Sequence, residues 1–398
     1  MKIASRINRI EGSKTLQVKE KALEMRARGY DVVDVTAGEP DFDTPQAIRQ
    51  AAIEAINGGF TRYTAITGIP ELRKLIAQKL KTENGLDYTP EQIIVSNGAK
   101  QSILNTLFAI VEEGDEVLIP VPYWVSYPEQ VKMTGAKPVL IDTMKTGFKL
   151  TPEVLSQHIT GSTRVIILNS PSNPTGVVYT KEELTALAQI LKDKDIWVIS
   201  DEIYEKLIYD GLEHTSIATL EGMYEKTIVI NGFSKSHAMT GWRLGYAAAP
   251  LPLVKAMSKI QGHSTSNASS ISQKAGVAAL GNLEGEIEKM RQTFEERRNY
   301  IKGILDGFKH LDYVNPQGAF YFFIDVSKVF GCRCGAEVID NSIKFSTYLT
   351  ENYYLVTVPG AVFGADNYIR MSFAASREVL EKAMDRLTRA VKEMLEQK

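Results

Sequence analysis

Residue types and patterns that mark several protein classes are scarce in this chain of 398 residues. It has 2 cysteines, Cys332 and Cys334, which excludes a disulfide-built fold and leaves a structural zinc site without its other ligands. The 5 histidines show no metal-ligand spacing, so we expect no bound metal. No apolar run reaches the length of a membrane span, and no signal-peptide segment follows the basic N-terminus. We therefore expect a cytoplasmic protein without a membrane partner.

An excess of either charge is also lacking. The chain has 46 Lys and Arg residues against 48 Asp and Glu residues, which gives a formal net charge of -2. Because nucleic acids and anionic membranes attract strongly basic surfaces, we expect no nucleic-acid partner. The composition, 44% hydrophobic and 24% charged, is that of a globular protein, and the length predicts two domains.

Apolar strand patterns alternate with helical patterns through much of the chain. The runs 165–168, 196–199 and 227–230 are almost entirely apolar, as in strands that are buried on both faces. The alternation therefore predicts an α/β fold with a mostly parallel sheet covered by helices. After Gly245 the pattern becomes helical, and a long charged helix over 283–307 leads towards the second domain.

Candidate functional residues follow successive predicted strands. In open α/β sheets, ligands bind beyond the carboxyl ends of the strands. Each candidate alone has an ordinary explanation, such as a tight turn, packing, an Asx-turn, a helix N-cap or a loop cation. Their common position at one sheet edge favours a functional site, and they are Gly98, Trp124, Asn173, Asp201 and Lys235.

The surroundings of Lys235 indicate a particular chemistry. This lysine follows an apolar strand, and partial exclusion of water lowers the pKa of a lysine and makes it a nucleophile towards carbonyls. Ser234 and Arg243 offer a hydroxyl and a bidentate cation to a phosphate. A Schiff-base lysine beside a phosphate anchor predicts pyridoxal 5′-phosphate (PLP) as the cofactor.

A second candidate phosphate contact lies where a predicted strand over 93–96 turns into a helix. The turn is expected to leave Gly98, Ala99 and Lys100 with free backbone N–H groups at the positive end of the helix. Neither a Walker-A GKT nor a G-x-G-x-x-G pattern is present, so an ordinary tight turn is the alternative.

Four motifs together resemble the class I aminotransferases, which are PLP enzymes of fold type I. They are AGEPDF (37–42), NPTG (173–176), SDEIY (200–204) and SK (234–235) with TGWR (240–243). The stretches AGEPDF, YWVSYPE and GFSK with AMTGWR are similar to those of the bacterial aspartate aminotransferase branch, subgroup Ib. The resemblance covers essentially the whole chain. It implies a large PLP-binding domain over 46–285 and a smaller α+β domain built from 1–45 and 286–398.

The resemblance also implies how the cofactor ring is held. Lys235 would bind the cofactor covalently and later move the substrate proton, while Asp201 would keep the ring nitrogen protonated. Asn173 and Tyr204 would donate hydrogen bonds to the 3′-oxygen, and Trp124 would stack on the ring.

The phosphate and a second subunit follow from the same resemblance. The phosphate would be held by a helix start, a hydroxyl and a guanidinium, namely Gly98, Ala99, Lys100, Ser234 and Arg243. In this family a tyrosine of the partner subunit also reaches the phosphate, and Tyr63 lies at the matching place. A homodimer with shared active sites is therefore implied.

The implied reaction moves the amino group of L-aspartate to 2-oxoglutarate by a ping-pong mechanism. Arg370 would bind the substrate α-carboxylate, beside the Gly38 backbone and the side chains of Trp124 and Asn173. Lys14 and Arg62 are candidates for the distal carboxylate, and nothing in the sequence places them. Prephenate, aromatic amino acids and alanine are alternative substrates, and a PLP-dependent lyase is an alternative enzyme class.

Overall fold

The computed structural model contains the long helix predicted over 283–307, which spans Glu284–Gly307. The structure describes residues 3–12, 14–334 and 337–396, with the backbone alone for residues 5, 6, 14–19, 21, 334 and 337. The helices are α1 (Lys14–Ala27), α2 (Gln46–Asn57), α3 (Pro70–Asn84), α4 (Ala99–Ile110), α5 (Ser126–Thr134), α6 (Pro152–His158), α7 (Lys181–Leu191), α8 (Leu251–Ser264), α9 (Ser270–Ala279), α10 (Glu284–Gly307), α11 (Ser342–Tyr353) and α12 (Arg377–Glu396).

The strands form one large sheet and several smaller ones. They are β1 (Val33–Asp34), β2 (Ile93–Ser96), β3 (Glu116–Val121), β4 (Lys137–Asp142), β5 (Thr163–Asn169), β6 (Trp197–Asp201), β7 (Thr227–Gly232), β8 (Gly245–Ala248), β9 (Asp312–Val314), β10 (Tyr321–Asp325), β11 (Arg333–Cys334), β12 (Glu337–Val338), β13 (Leu355–Val356), β14 (Val358–Pro359) and β15 (Tyr368–Ser372). The large sheet has the order β2-β8-β7-β6-β5-β3-β4, which confirms the predicted mostly parallel arrangement.

One strand of the large sheet runs against the others. The sequence analysis did not predict this strand, β8, which covers Gly245–Ala248 and pairs antiparallel with both β2 and β7 before the expected helical pattern begins. The remaining pairs of this sheet are parallel. The helix begins only at Leu251, after Pro250.

The apolar runs read from the sequence cover both faces of the large sheet. In β5, Val165 and Ile167 pack into one core cluster with residues of α4 and α8, while Ile166 and Leu168 pack into another with residues of α7. Side chains alternate across a strand, so a strand covered on both sides must be apolar at every position.

The C-terminal part builds its own sheet. β14, β15, β10 and β9 pair antiparallel in that order, and β1 pairs with β13. A separate core cluster lies under this sheet and includes Phe294 of α10, Phe320 and Leu387 of α12. In register, Arg370 of β15 lies opposite Phe323 of β10.

None of the helices in the described ranges combines the length and apolar character that crossing a bilayer requires. The cytoplasmic location expected from the sequence stays a prediction.

Candidate active site

A cavity of about 380 Å³ opens at the carboxyl ends of the parallel strands. The loops after β2, β3, β5, β6 and β7 supply one side, and residues of the 36–39 loop, β10 and β15 supply the other. Most of the residues that the sequence singled out lie on its wall, namely Gly38, Ala99, Lys100, Trp124, Asn173, Asp201, Tyr204, Ser234, Lys235, Arg243 and Arg370. The structure thus places these residues together at the sheet edge, as the strand-end rule predicts.

Lys235 extends its amine into this cavity. Its Nζ donates to the backbone oxygen of Gly38 at 2.5 Å and lies 5.9 Å from the ring centroid of Tyr204. Burial lowers the pKa of Lys235 to about 8, and the nearby Arg243 and Arg370 act in the same direction, while Glu39 and Asp201 oppose them. An amine with this pKa is unprotonated in about a tenth of the molecules at pH 7, compared with fewer than one in a thousand for an exposed lysine.

Asp201 is a buried carboxyl group at the end of β6. Its Oδ2 accepts a hydrogen bond of 2.6 Å from the hydroxyl of Tyr127, and its Oδ1 accepts one of 3.3 Å from the N–H of Ile203. Burial raises the pKa of Asp201 to about 6, although these two hydrogen bonds oppose the shift. A buried carboxylate without an ion-pair partner is costly, and a protonated ring nitrogen would supply the missing cation. Asp201 forms no salt bridge among the side chains that the structure describes.

Two glycines, Gly98 and Gly245, allow Arg243 and the start of α4 to lie close together. A Cβ at Gly98 would lie 2.6 Å from Arg243 Nη2, and one at Gly245 would lie 2.3 Å from the Ala99 nitrogen. Glycine at both positions therefore lets the guanidinium and the start of α4 converge. Gly98 has φ of 83°, which also favours glycine.

The expected free N–H groups at this helix start are correct in part. The N–H of Gly98 is not free, because it donates to the Ser96 carbonyl at 2.7 Å. In the described part of the chain no acceptor meets the N–H groups of Ala99 and Lys100, which are the first two residues of α4. These two groups, with the buried Ser234 hydroxyl and Arg243, suit a phosphate.

Arg370 is a buried cation without an acidic partner among the described residues. Its Nη1 donates to Asn173 Oδ1 at 2.9 Å and its Nη2 donates to the Thr36 carbonyl at 3.0 Å, while its Nε has no partner. Its Cζ lies 4.4 Å from the ring centroid of Tyr321 and 5.0 Å from that of Phe363. Because a buried cation is stable only with its charge compensated, this site suits an incoming carboxylate.

The ring-contacting candidates meet partners that the sequence did not reveal. The Tyr204 hydroxyl lies 2.8 Å from that of Tyr321, and the Trp124 ring packs edge-on against Tyr127 at 5.3 Å. The Lys100 amine lies 4.9 Å from the Trp124 ring centroid, so this lysine contributes its side chain as well as its backbone. Burial lowers the pKa of Lys100, and Arg243 adds to the effect.

Among the predicted residues that the structure describes with their side chains, Gly98, Arg62 and Tyr63 do not line the cavity. The Tyr63 side chain is 89% exposed, and Arg62 is also exposed on the same loop. The side chain of Lys14 lies outside the described residues, as does that of Cys334, whereas Cys332 is buried. Arg62 therefore receives no support from the cavity as a candidate for the distal carboxylate.

Next to Asp201 in the chain, the structure brings two glutamates and a histidine together, a cluster that the spacing of the histidines did not indicate. Ligand atoms of Glu202, Glu205 and His214 lie within 4.8 Å of one another. Glu202 accepts hydrogen bonds from Ser200, Ser216 and His214, and Glu205 pairs with Lys79. These contacts compensate the carboxylates within the chain.

Comparison with known proteins identifies the family. Residues 30–387 match the family described as aminotransferase class I and II. The chain belongs to this family. An aspartate aminotransferase of Geobacillus stearothermophilus is 46% identical over 391 residues, which cover 98% of each protein. An aspartate/prephenate aminotransferase of Cereibacter sphaeroides is 45% identical over 390 residues, which cover 97% of each.

A solved structure gives the same result for the fold of this aminotransferase. The aspartate aminotransferase from Rhizobium meliloti matches with a TM-score of 0.95 and 41% identity, and the match covers 98% of this chain and 99% of that one. The predicted fold type I and the resemblance to bacterial aspartate aminotransferases are therefore confirmed.

Enzymes of this family use PLP, which is therefore the cofactor of the aminotransferase. The cavity fits it on three independent features. Lys235 provides an amine with a lowered pKa, Asp201 provides a buried acid without a cation, and Arg243 with the start of α4 provides a concave phosphate site.

Proposed function

We propose that this aminotransferase moves the amino group of L-aspartate to 2-oxoglutarate, giving oxaloacetate and L-glutamate. Four cations on the cavity wall have no carboxylate partner among the described residues, namely Lys100, Lys235, Arg243 and Arg370. The observation that carries the proposal is that two of them, Arg370 and Lys100, remain for the substrate once Lys235 and Arg243 serve the cofactor. Aspartate and 2-oxoglutarate each carry two carboxylates, and one cation could bind each. The names of the Geobacillus and Rhizobium relatives support aspartate as the amino donor.

Arg370 is the better site for the α-carboxylate, which every amino acid shares. Its guanidinium is fixed by Asn173, by the Thr36 carbonyl and by the Tyr321 ring, so its free edge is already oriented. Lys100 lies at a different wall, over Trp124, and its flexible stem suits a distal carboxylate at a distance that depends on the substrate. Lys100 thus replaces Lys14 and Arg62 as the candidate for this contact.

The residues of the cavity divide the chemistry among them. When bound, PLP withdraws electrons from the substrate α-carbon. Asp201 would hold the proton on the ring nitrogen, and the Lys235 amine, with a pKa of about 8, would accept the α-proton and return it. Without the cofactor, the amine donates to the Gly38 carbonyl and lies close to the Tyr204 ring.

A panel of amino donors tests the substrate proposal, with 2-oxoglutarate held fixed. Arg370→Ala should raise KM about 10- to 100-fold for every donor, because all lose a charged hydrogen-bonded pair. Lys100→Met should raise KM for aspartate and glutamate by a similar factor and leave alanine unchanged, because methionine keeps the stem and removes the charge.

The panel contains its own controls. Equal losses for alanine and aspartate in Lys100→Met would show that Lys100 serves the cofactor instead of the distal carboxylate, as would weakened PLP binding. Prephenate is included as an acceptor because of the name of the Cereibacter relative. Faster turnover with prephenate than with 2-oxoglutarate would replace the proposed acceptor.

The exposure of Tyr63 supports the proposed homodimer with shared active sites. A tyrosine that is 89% exposed and absent from the cavity of its own chain is free to enter the site of a partner. Hybrid dimers that combine a Lys235→Ala chain with a Tyr63→Ala chain test this arrangement. Shared sites should restore one complete site and about half of the wild-type activity. Activity no higher than that of the Tyr63→Ala homodimer would mean that Tyr63 does not act across subunits.

We also propose the division into a large domain over 46–285 and a small one from 1–45 and 286–398. Support comes from the separate sheets, since β1 pairs with β13 of the C-terminal part instead of joining the large sheet. The core under the C-terminal sheet also includes Ile203, Tyr204, Leu207 and Tyr209 of the large domain. The cavity has residues of both proposed domains on its wall.

A further inference from the structure

The hydroxyl pair of Tyr204 and Tyr321 is a cavity feature to which the proposed function gives no task. The two oxygens lie 2.8 Å apart, and both side chains are buried. Neither hydroxyl has another hydrogen-bond partner in the described part of the chain. Burial raises the pKa of Tyr204 well above its ordinary value, so its hydroxyl keeps its proton at neutral pH.

Tyr321 also contacts the carboxylate site through its ring. The Arg370 Cζ lies 4.4 Å from the ring centroid, and a Cβ at Gly38 would lie 3.4 Å from the Tyr321 hydroxyl. The strand register explains the contact, because Tyr321 lies opposite Ser372, two residues from Arg370, and such diagonal neighbours share a face. One rigid side chain thus contacts Arg370 with its ring and Tyr204 with its hydroxyl.

The direction of the hydroxyl pair decides what Tyr204 can do for the cofactor. Tyr204 has a single proton, and if it donated that proton to Tyr321, none would be left for the ring 3′-oxygen. If Tyr321 is the donor, the Tyr204 proton is directed into the cavity. A hydroxyl that accepts one hydrogen bond also donates a stronger one.

We propose that Tyr321 is a positioning residue, which directs the Tyr204 proton towards the cofactor by donating to the Tyr204 oxygen and which holds the Arg370 guanidinium in place with its ring. The inference rests on the role that the resemblance implies for Tyr204 at the ring 3′-oxygen and on the role proposed above for Arg370. It assigns to one residue of β10 the alignment of both the cofactor ring and the substrate carboxylate.

Two substitutions separate the hydroxyl of Tyr321 from its ring in the PLP-loaded enzyme. Tyr321→Phe should raise the pH midpoint of the cofactor's visible absorbance by about half a unit to one unit. Without the Tyr321 hydroxyl, Tyr204 donates a weaker hydrogen bond, so the ring 3′-oxygen keeps more negative charge. That charge stabilises the proton on the nitrogen that joins Lys235 to the cofactor. It should leave the Kd of maleate, an unreactive dicarboxylate, within about twofold of wild type. Tyr321→Leu should raise that Kd about tenfold, because the stacking on Arg370 is lost.

Tyr353→Phe is the matched control, since its hydroxyl binds Glu393 away from the cavity, and it should change neither quantity. A second test combines Tyr321→Phe with Tyr204→Phe and does not depend on the Tyr321→Leu variant. In Tyr204→Phe, the further change Tyr321→Phe should not move the midpoint again, because the hydroxyl acts through Tyr204.

An unchanged or lowered midpoint in Tyr321→Phe, a further shift in the double variant, or equal weakening of maleate by Phe and Leu would each overturn the proposal. These readouts need no turnover. Failure of the wild-type enzyme to use aspartate would reject the proposed function and leave the absorbance titration readable.

Discussion

Lys235→Ala should reduce turnover by about 10⁴-fold or more, because the variant loses both the covalent attachment of the cofactor and the base that moves the substrate proton. Borohydride should fix the cofactor to wild-type protein at Lys235 and leave the variant unmodified. The measurement is peptide mapping after reduction, together with the initial rate of oxaloacetate formation. Lys392→Ala on α12 is the control, because its side chain is 66% exposed and lies on a helix outside the cavity wall.

The lowered pKa of Lys235 sets the pH at which the apo-protein captures PLP. The reactive species is the unprotonated amine, so the capture rate should rise with pH up to about 8 and then level off. A rate that keeps rising towards pH 10 would mean that the amine is not desolvated. Attachment to a lysine other than Lys235 would contradict the assignment of the site.

Asp201→Asn should have opposite effects on activity and on the stability of the apo-protein. Turnover and cofactor retention should fall by about 10³-fold or more, because an amide cannot keep the ring nitrogen protonated. The apo-protein should nevertheless become more stable at pH 8. The pKa of Asp201 is about 6 in the folded state, above the ordinary value of 3.8, so the folded state binds the proton of this carboxyl group more tightly than the unfolded state. At pH 8 the buried carboxylate is charged and destabilises the folded state, and the amide removes that cost.

The pH window follows from these two values. The cost of the buried charge is absent below pH 3.8, grows between pH 3.8 and 6, and is fully present above pH 6, where it reaches about 3 kcal/mol. Denaturant unfolding of the apo-proteins should therefore show the variant gaining about 1–3 kcal/mol at pH 8 and little at pH 4. Asp385→Asn, at an exposed position of α12, is the control. A less stable variant at pH 8, or near-normal turnover, would show that Asp201 has been misassigned.

The residues at the strand ends were predictable because a short stretch of sequence shows both the apolar run of a buried strand and the residue that follows it. Lys235, Asp201 and Asn173 each follow a run of apolar residues, and a parallel sheet must bring such ends together. The free N–H groups were predicted less well, because the tight turn after β2 closes the Gly98 N–H on Ser96. Strand β8 was missed because its four residues, Gly-Tyr-Ala-Ala, have little strand character.

The contacts between distant segments were beyond the local pattern. Tyr321 meets Tyr204 across 117 positions, and Tyr127 meets Asp201 across 74. In the sequence, Tyr321 is one of several aromatic residues in the run Phe320–Phe323, and Tyr127 is part of the YWVSYPE stretch. Strand registers and side-chain partners of this kind depend on how the sheets pack, and the local sequence pattern around one residue does not reveal that packing.

The most direct test of the account mixes PLP-loaded enzyme with L-aspartate in the absence of any 2-oxo acid. We expect one equivalent of oxaloacetate per subunit in a single burst, loss of the visible cofactor absorbance, and recovery of both enzyme and absorbance on addition of 2-oxoglutarate. Continuous release of product without an acceptor, or no oxaloacetate at all, would contradict the account.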